Sequence, residues 1–414
     1  MQAHAVSDRV RKTLAMVAIS VAGLLLFAAC TQRADAKARD AHAAVVKGPK
    51  GLAFYKPPKD IPKRHGALIW ARKAGGLVPL ADARSTKLVL YSSRTPQGAK
   101  DAVSGSVSVP KGKPPKGGWP VISWAHGTTG AADACAPTRI RPNSVVAPYV
   151  AYVHPQLEDW IGAGYAVVAT DYQGLGTPGP HPYLIGEAEG RSVVDIVSAA
   201  RQLVPTLGKR YLIAGHSQGG QSSLFAASLA DEWAPKLKLR GTVAYAPASH
   251  LKEQAKFLPS LTSPSGLSAL AALIFKGAST TSDENVKPAK FFTAEARALY
   301  PQTEQLCLPQ LAESDSFGGL APADLLRGSA DLDPLYGVLD DMNPAVRIGP
   351  PVLLAQGSAD TTVFPTFTDM LNGELDKLGD KVAYKTYPGV NHGAIVAAAE
   401  DDALSFFEKR LPPK

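Results

Sequence analysis

From Trp119 onward, short uninterrupted apolar runs alternate with longer segments of helical periodicity. The runs are Pro120 to Ala125, Ala166 to Asp171, Tyr211 to Gly215, Thr242 to Ala246 and Pro351 to Gln356, with a weaker one at Val382 to Tyr387. Runs that are apolar on both faces predict parallel strands buried beneath crossover helices. Helices are predicted at Val145 to Ile161, Ser192 to Leu203, Gln218 to Ala230, Pro365 to Leu378 and Gly393 to Glu408. Upstream, Lys87 to Arg94 and Ala102 to Val109 alternate apolar and polar residues on either side of Pro96-Gln97-Gly98, the pattern of an antiparallel hairpin. The whole predicts an α/β fold with a mostly parallel central sheet flanked by helices. Right-handed crossovers then gather the loops at the C-terminal strand ends along one edge.

Between Ser249 and Pro351 the alternation stops for about 100 residues, too long for a structureless loop in a compact domain. Helical fragments such as Leu267 to Phe275 and Ala294 to Tyr300 predict an inserted helical cap there. Leu267 to Phe275 is apolar nearly all round, which suits a buried cap helix better than an interface-sensing lid. The expected organisation is a targeting segment at 1–30, a tether and lead-in at 31–84, the first part of the core at 85–249, the cap at 250–350 and the second part of the core at 351–414.

Arg9, Arg11 and Lys12 precede an apolar stretch from Leu14 to Ala29, broken only by Ser20, and Cys30 follows. This is the layout of a secretory signal; an uncleaved anchor of the same length is the alternative, and both imply export. Phe27-Ala28-Ala29-Cys30 resembles a bacterial lipoprotein cleavage box with Phe27 in place of the usual Leu, so lipidation at Cys30 and free secretion both stay open. The formal net charge of +8 gathers partly in Lys47 to Lys73 and Lys111 to Lys116. That distribution suits contact with an anionic membrane or lipid surface, or is simply a solvated face. No nucleic-acid motif accompanies it, so no nucleic-acid partner is expected. Cys135 and Cys307 are the remaining cysteines. In an oxidising compartment they form one disulfide or stay as two unlinked buried thiols.

The strongest chemical signal is Gly215-His216-Ser217-Gln218-Gly219, with an apolar strand before it and a helix after it. In such a G-x-S-x-G elbow the glycines allow a turn too tight for side chains, and the serine hydroxyl is exposed at the strand end. Ser217 is the expected nucleophile. It needs a base, which in the chain order of such elbows lies after an acid that itself follows the serine. Of nine histidines only His250 and His392 come after Ser217, and His250 stands too early to leave room for an acid on a later strand. His392, between the last strand and the last helix, is the expected base. Asp360, at the end of the Pro351 run, is the expected acid that holds the imidazole tautomer, preferred to Asp340, Asp341 and Asp380 in the cap or a polar turn. Oxyanion donors are expected from the amide of Gln218 and, in His126-Gly127-Thr128-Thr129-Gly130, from Thr128. His126 reads as a loop-orienting residue, and the Gly/Pro-rich stretch Asp171 to Pro182 as a wall of the cleft. No metal spacing, phosphate loop or dinucleotide fingerprint occurs, so no cofactor is expected.

These motifs together resemble the secretory lipase family, of the α/β-hydrolase superfamily, including its exported bacterial members. The resemblance rests on H-G-T-T-G at His126 to Gly130 with Cys135-Ala136-Pro137, on Asp171 to Gly176 running into H-P-Y-L-I-G-E at His181 to Glu187, on G-H-S-Q-G-G, on G-S-A-D and on Asn391-His392. It covers Lys87 to the C-terminus. It implies an α/β-hydrolase core with a cap, a Ser/Asp/His triad, hydrolysis of carboxylic esters such as acylglycerols, and a Cys135–Cys307 bond. Where fungal members carry an acidic residue near the oxyanion loop, this chain has Thr128 and Thr129. A lipid or small ester is the expected substrate, handled by a monomer. An exported acyltransferase or peptidase with the same triad is the alternative.

Overall fold

The structure, a computed structural model, describes residues 45–281 and 285–413. The expected targeting segment and Cys30 lie outside the described residues. Among the described residues, nine strands form one sheet: β1 (Leu68–Lys73), β2 (Ala83–Arg94), β3 (Lys100–Pro110), β4 (Trp119–Ala125), β5 (Ala166–Thr170), β6 (Leu207–His216), β7 (Lys238–Tyr245), β8 (Val352–Gly357) and β9 (Val382–Tyr387). Their order is β1-β2-β3-β5-β4-β6-β7-β8-β9. β1 to β3 pair antiparallel, β3 joins β5 antiparallel, and the pairings from β5 to β9 are parallel.

All six apolar runs are strands, and the predicted hairpin is β2–β3, with Arg94 opposite Lys100. β1 falls in the stretch read as lead-in. It is an edge strand carrying Trp70, Arg72 and Lys73, only partly covered, so its apolar signal is weak.

The neighbours β4 and β6 show why the central runs are apolar without interruption. Val121 and Ala125 of β4, with Tyr211 and Ile213 of β6, pack on one face against Val193 of α2 (Gly186–Leu203) and Leu224 of α3 (Gln218–Trp233). On the other face Ile122, Trp124, Leu212 and Ala214 meet Trp160 of α1 (His154–Gly162) and Phe407 of α6 (Glu400–Arg410). Period-two alternation therefore points every second side chain into a core, whichever face it takes. The predicted helix from Val145 is interrupted, with Ala147–Ala151 preceding α1; Pro155 at the start of α1 marks the break.

The chain leaving β4 reaches α1 on one face, whereas that leaving β6 enters α3 on the other. A crevice opens between their C-terminal ends, where open α/β sheets place their sites. Between β7 and β8 the described residues form helices and turns and add no strand to the sheet. In α4 (Leu267–Ala278), Ser268, Ala269, Ala272, Leu273 and Phe275 are buried, and the apolar cluster around them takes in Tyr183 and Leu184. Leu267, Leu270 and Ile274 form a half-buried stripe on the same helix at the spacing of one face. Pro365–Lys377 forms α5.

Cys135 and Cys307 are joined, with Cα atoms 5.4 Å apart and 172 residues of sequence separation. Beside the bond, Gly130 pairs with Cys307, and Leu308 donates its amide to Thr129 O at 2.9 Å. The insertion is thus stitched to the loop that leaves β4. Closing so long a loop removes about 5 kcal/mol of unfolded-state entropy in the chain-entropy model. The double variant Cys135→Ser/Cys307→Ser is expected to unfold with about 3–5 kcal/mol less stability. Urea denaturation checks this; a stability equal to that of the oxidised wild type would show that the link contributes nothing.

Candidate active site

β6 ends at His216 and α3 begins at Gln218, leaving Ser217 alone at the turn with φ 59° and ψ −114°. A β-carbon on Gly215 would lie 2.0 Å from Gly219 O, and one on Gly219 would lie 1.9 Å from Ala125 O. Only glycine fits at either place. The left-handed φ of Ser217 is itself strained and persists because the surrounding backbone holds it: its amide donates to Tyr245 O at 2.9 Å, and its carbonyl accepts from Ala248 at 3.2 Å.

Asp360, just past β8, and His392, past β9, meet across the same strand ends. His392 Nδ1 lies 2.7 Å from Asp360 Oδ2. The other carboxylate oxygen accepts the amides of Thr362 at 2.8 Å and Val363 at 2.9 Å, and Gln356 Nε2 donates to Oδ2 at 3.1 Å. Burial pushes the Asp360 carboxyl up, but its hydrogen bond and charge pairing with His392 and the two amides outweigh burial and hold it below the usual value. With Nδ1 donating to the carboxylate, Nε2 is the ring nitrogen left to accept a proton. Ser217 and His392 line one cavity. The rivals lie elsewhere: Asp340 and Asp341 are exposed, Asp340 pairing with Lys252, while Asp380 accepts from the Ile348 amide and His250 reaches Glu374.

Gln218 is the first residue of α3, so its amide has no intrahelical acceptor. Thr128, on the loop after β4, is buried and lines the same cavity as Ser217. Neither amide donates to an acceptor among the described residues. His126 contacts the neighbouring Gly127 carbonyl and packs 4.4 Å from the Tyr172 ring, while Tyr172 donates to His126 O at 2.8 Å. Burial pushes His126 down to about 4, which keeps its imidazole neutral. The stretch Asp171 to Pro182 thus buttresses the β4 loop from behind; Asp171 alone of it lines the larger cavity, so the stretch is a support of that loop and not the cleft wall expected from the sequence.

Sequence reasoning passed over His216, the variable position of the elbow. Its Nε2 donates to His392 O at 3.0 Å and its Nδ1 accepts from Tyr152 at 2.6 Å, so it ties the β6 turn to the loop that carries His392. Burial, reinforced by the neighbouring His392, drives its pKa well down. It also passed over any role for His181, Tyr183 and Glu189, although all three lie in or beside the H-P-Y-L-I-G-E motif.

Two apolar cavities meet at Ser217. The larger, of about 800 Å³, reaches toward Leu77, Trp124 and Leu157; the smaller, of about 320 Å³, runs under Leu251, Ala271 and Phe367. Among the described residues no group of three or more His, Cys, Asp or Glu side chains is placed to hold a metal ion.

Residues 151–314 match the secretory lipase family. The matched stretch holds Ser217, His181, Glu189 and Cys307; Thr128, Asp360 and His392 lie outside it. Lipase A of Moesziomyces aphidis is 27% identical over 210 residues, covering 48% of this chain and 43% of that protein. Acyl-protein thioesterase 1 of Gibberella zeae is 43% identical over 65 residues, 16% of this chain and 27% of that protein. The chain thus spans less than half the length of these two relatives. Among solved structures, Candida antarctica lipase A superposes with a TM-score of 0.69 at 20% identity, covering 82% of this chain and 80% of that one. The rice cell wall degrading esterase LipA of Xanthomonas oryzae gives 0.66 at 18% identity, covering 84% and 98%. The fold is that of the α/β-hydrolases.

Because the elbow leaves no space for a methyl group, Gly219→Ala is expected to destabilise the protein by about 3 kcal/mol or more. Thermal or urea unfolding measures it, and a variant within about 1 kcal/mol of wild type would show that the turn can relax.

Proposed function

We propose that the protein is an exported lipid ester hydrolase, a lipase or esterase working through an acyl-enzyme. The reading is supported by a strained serine that lines the same cavity as His392, by the His392–Asp360 contact, and by two amides that have no acceptor among the described residues. Ser217 Oγ attacks the ester carbonyl, and His392 Nε2 takes its proton and returns it to the leaving alcohol. Asp360 keeps the imidazole in the tautomer that can do this and stabilises the imidazolium. The amides of Gln218 and Thr128 donate to the oxyanion. Water then clears the acyl group by the same route.

The two apolar cavities support an ester with hydrocarbon on either side of the carbonyl. Phe364, lining both, and Tyr149 and Phe257 at the larger and smaller cavity are large apolar residues exposed to solvent. They suit contact with a lipid surface. The disulfide supports an oxidising, extracytoplasmic location, and anchoring through a lipidated Cys30 would hold the enzyme at the envelope.

Ser217→Ala is expected to abolish hydrolysis of nitrophenyl esters, and Asp360→Asn to lower kcat by about 10³- to 10⁴-fold. Matched anilides should be cleaved far more slowly than esters. Wild-type protein that neither hydrolyses esters nor reacts with a fluorophosphonate would end the proposal. Ala271→Phe, which narrows the smaller cavity, is expected to reduce the ratio of long-chain to short-chain kcat/KM by about tenfold. An unchanged ratio over a series of acyl lengths would place the acyl chain elsewhere.

A further inference from the structure

Directly behind the elbow lies a buried polar cluster that the chemistry above does not use. Glu189, in the first turn of α2, is fully buried. Its Oε1 accepts from Gln218 Nε2 at 2.7 Å and from the Leu184 amide at 2.9 Å, and its Oε2 accepts from Ser222. His181, also fully buried, has Nδ1 2.8 Å from Gln173 O and Nε2 3.1 Å from Gln218 Nε2. A carbonyl can only accept, so Nδ1 carries the proton and Nε2 is an acceptor. Burial agrees, pushing the imidazole down to about 3 and thus keeping it neutral.

Both N–H bonds of the Gln218 side chain are therefore used, one on His181 and one on Glu189. The reverse amide orientation would set its oxygen against the Glu189 carboxylate. One rotamer of Gln218 is fixed, and with it the first residue of α3. Two residues from His181, the Tyr183 hydroxyl lies 2.6 Å from Thr128 Oγ1, with both side chains buried.

We propose that the His181–Glu189 segment is a brace that positions the two oxyanion donors from behind: Tyr183 holds Thr128, while His181 and Glu189 hold Gln218. The inference rests on the acyl-transfer reading above and deepens it. The donors come from loops after different strands, β4 and β6, and their separation must match one oxygen atom. A single segment that grips both side chains fixes that separation with no contact to the oxyanion itself. His181, Tyr183 and Glu189 are accordingly positioning residues, acting through Thr128 and Gln218. An error in donor placement weakens binding of the tetrahedral state and leaves ground-state binding alone.

The test uses purified protein, Tyr183→Phe and Gln218→Met, with nitrophenyl ester kinetics normalised by fluorophosphonate active-site titration. Each variant is expected to lower kcat about tenfold, with KM within about twofold of wild type. The inhibition constant of an alkyl boronic acid, which forms a tetrahedral serine adduct, should rise by the same factor as kcat falls; that of a fatty acid product should not change. A merely structural role would lower the titrated fraction and leave kcat per active site and boronate affinity as in wild type, and that result overturns the brace. If Gln218→Met does not fold, Tyr183→Phe decides alone. Wild-type protein without ester hydrolysis would instead refute the underlying reading, whereas active wild type, inactive Ser217→Ala and unaffected brace variants refute the brace only.

Discussion

Ala125 O and the backbone of Gly219 approach so closely that no β-carbon fits between them. Everything distinctive about the site follows from that contact. It brings the end of β4 against the start of α3, so the loop beginning at His126 and the amides that open the helix occupy one small volume. It also forces Ser217 into its left-handed conformation, away from both elements and toward the cavity. The cost of that backbone strain, of order 1–3 kcal/mol, is offset by the hydrogen bond from the Ser217 amide to Tyr245 O of β7 and by the one its carbonyl accepts from the Ala248 amide, just past that strand.

Around this contact the electrostatics divide into two kinds. On the cavity side, Asp360 stays ionised because His392 and two backbone amides compensate its burial. Behind the elbow, burial wins over partners: Glu189 is pushed up to about 7, and His181 is neutral. A buried polar network costs little only when its members find partners, and Glu189 finds three donors. The cavity side therefore holds an ionised carboxylate paired with His392, while the side behind the elbow holds a fully buried hydrogen-bonded cluster.

Much of this was legible in the chain. The five central apolar runs became strands because a parallel strand inside the sheet is covered on both faces and must be apolar throughout, as Val121, Ile122 and Leu212 show; the weaker sixth run is the edge strand β9, which has no buried residue. The order of Ser217, Asp360 and His392 could be read because each follows a strand whose end is marked by glycine or a polar break. β1 escaped notice because an edge strand with Arg72 and Lys73 on it lacks that signature. His216 and Glu189 escaped for another reason. Their importance lies in contacts across 176 and 29 residues of sequence respectively, which no local periodicity encodes. The H-P-Y-L-I-G-E motif was visible as a string, but its alternation of residues that reach Gln218 and Thr128 appears only once β4, β6 and α2 are side by side.

The Cys135–Cys307 bond carries a mechanical consequence. It fastens the insertion beside Thr129, where Leu308 is already hydrogen-bonded to the β4 loop. Covalently moored at that point, the helices over the cavity have a fixed fulcrum on the Thr128 side. Displacement of the insertion is thereby restrained most strongly beside the β4 loop, where the covalent bond and the Leu308 hydrogen bond coincide.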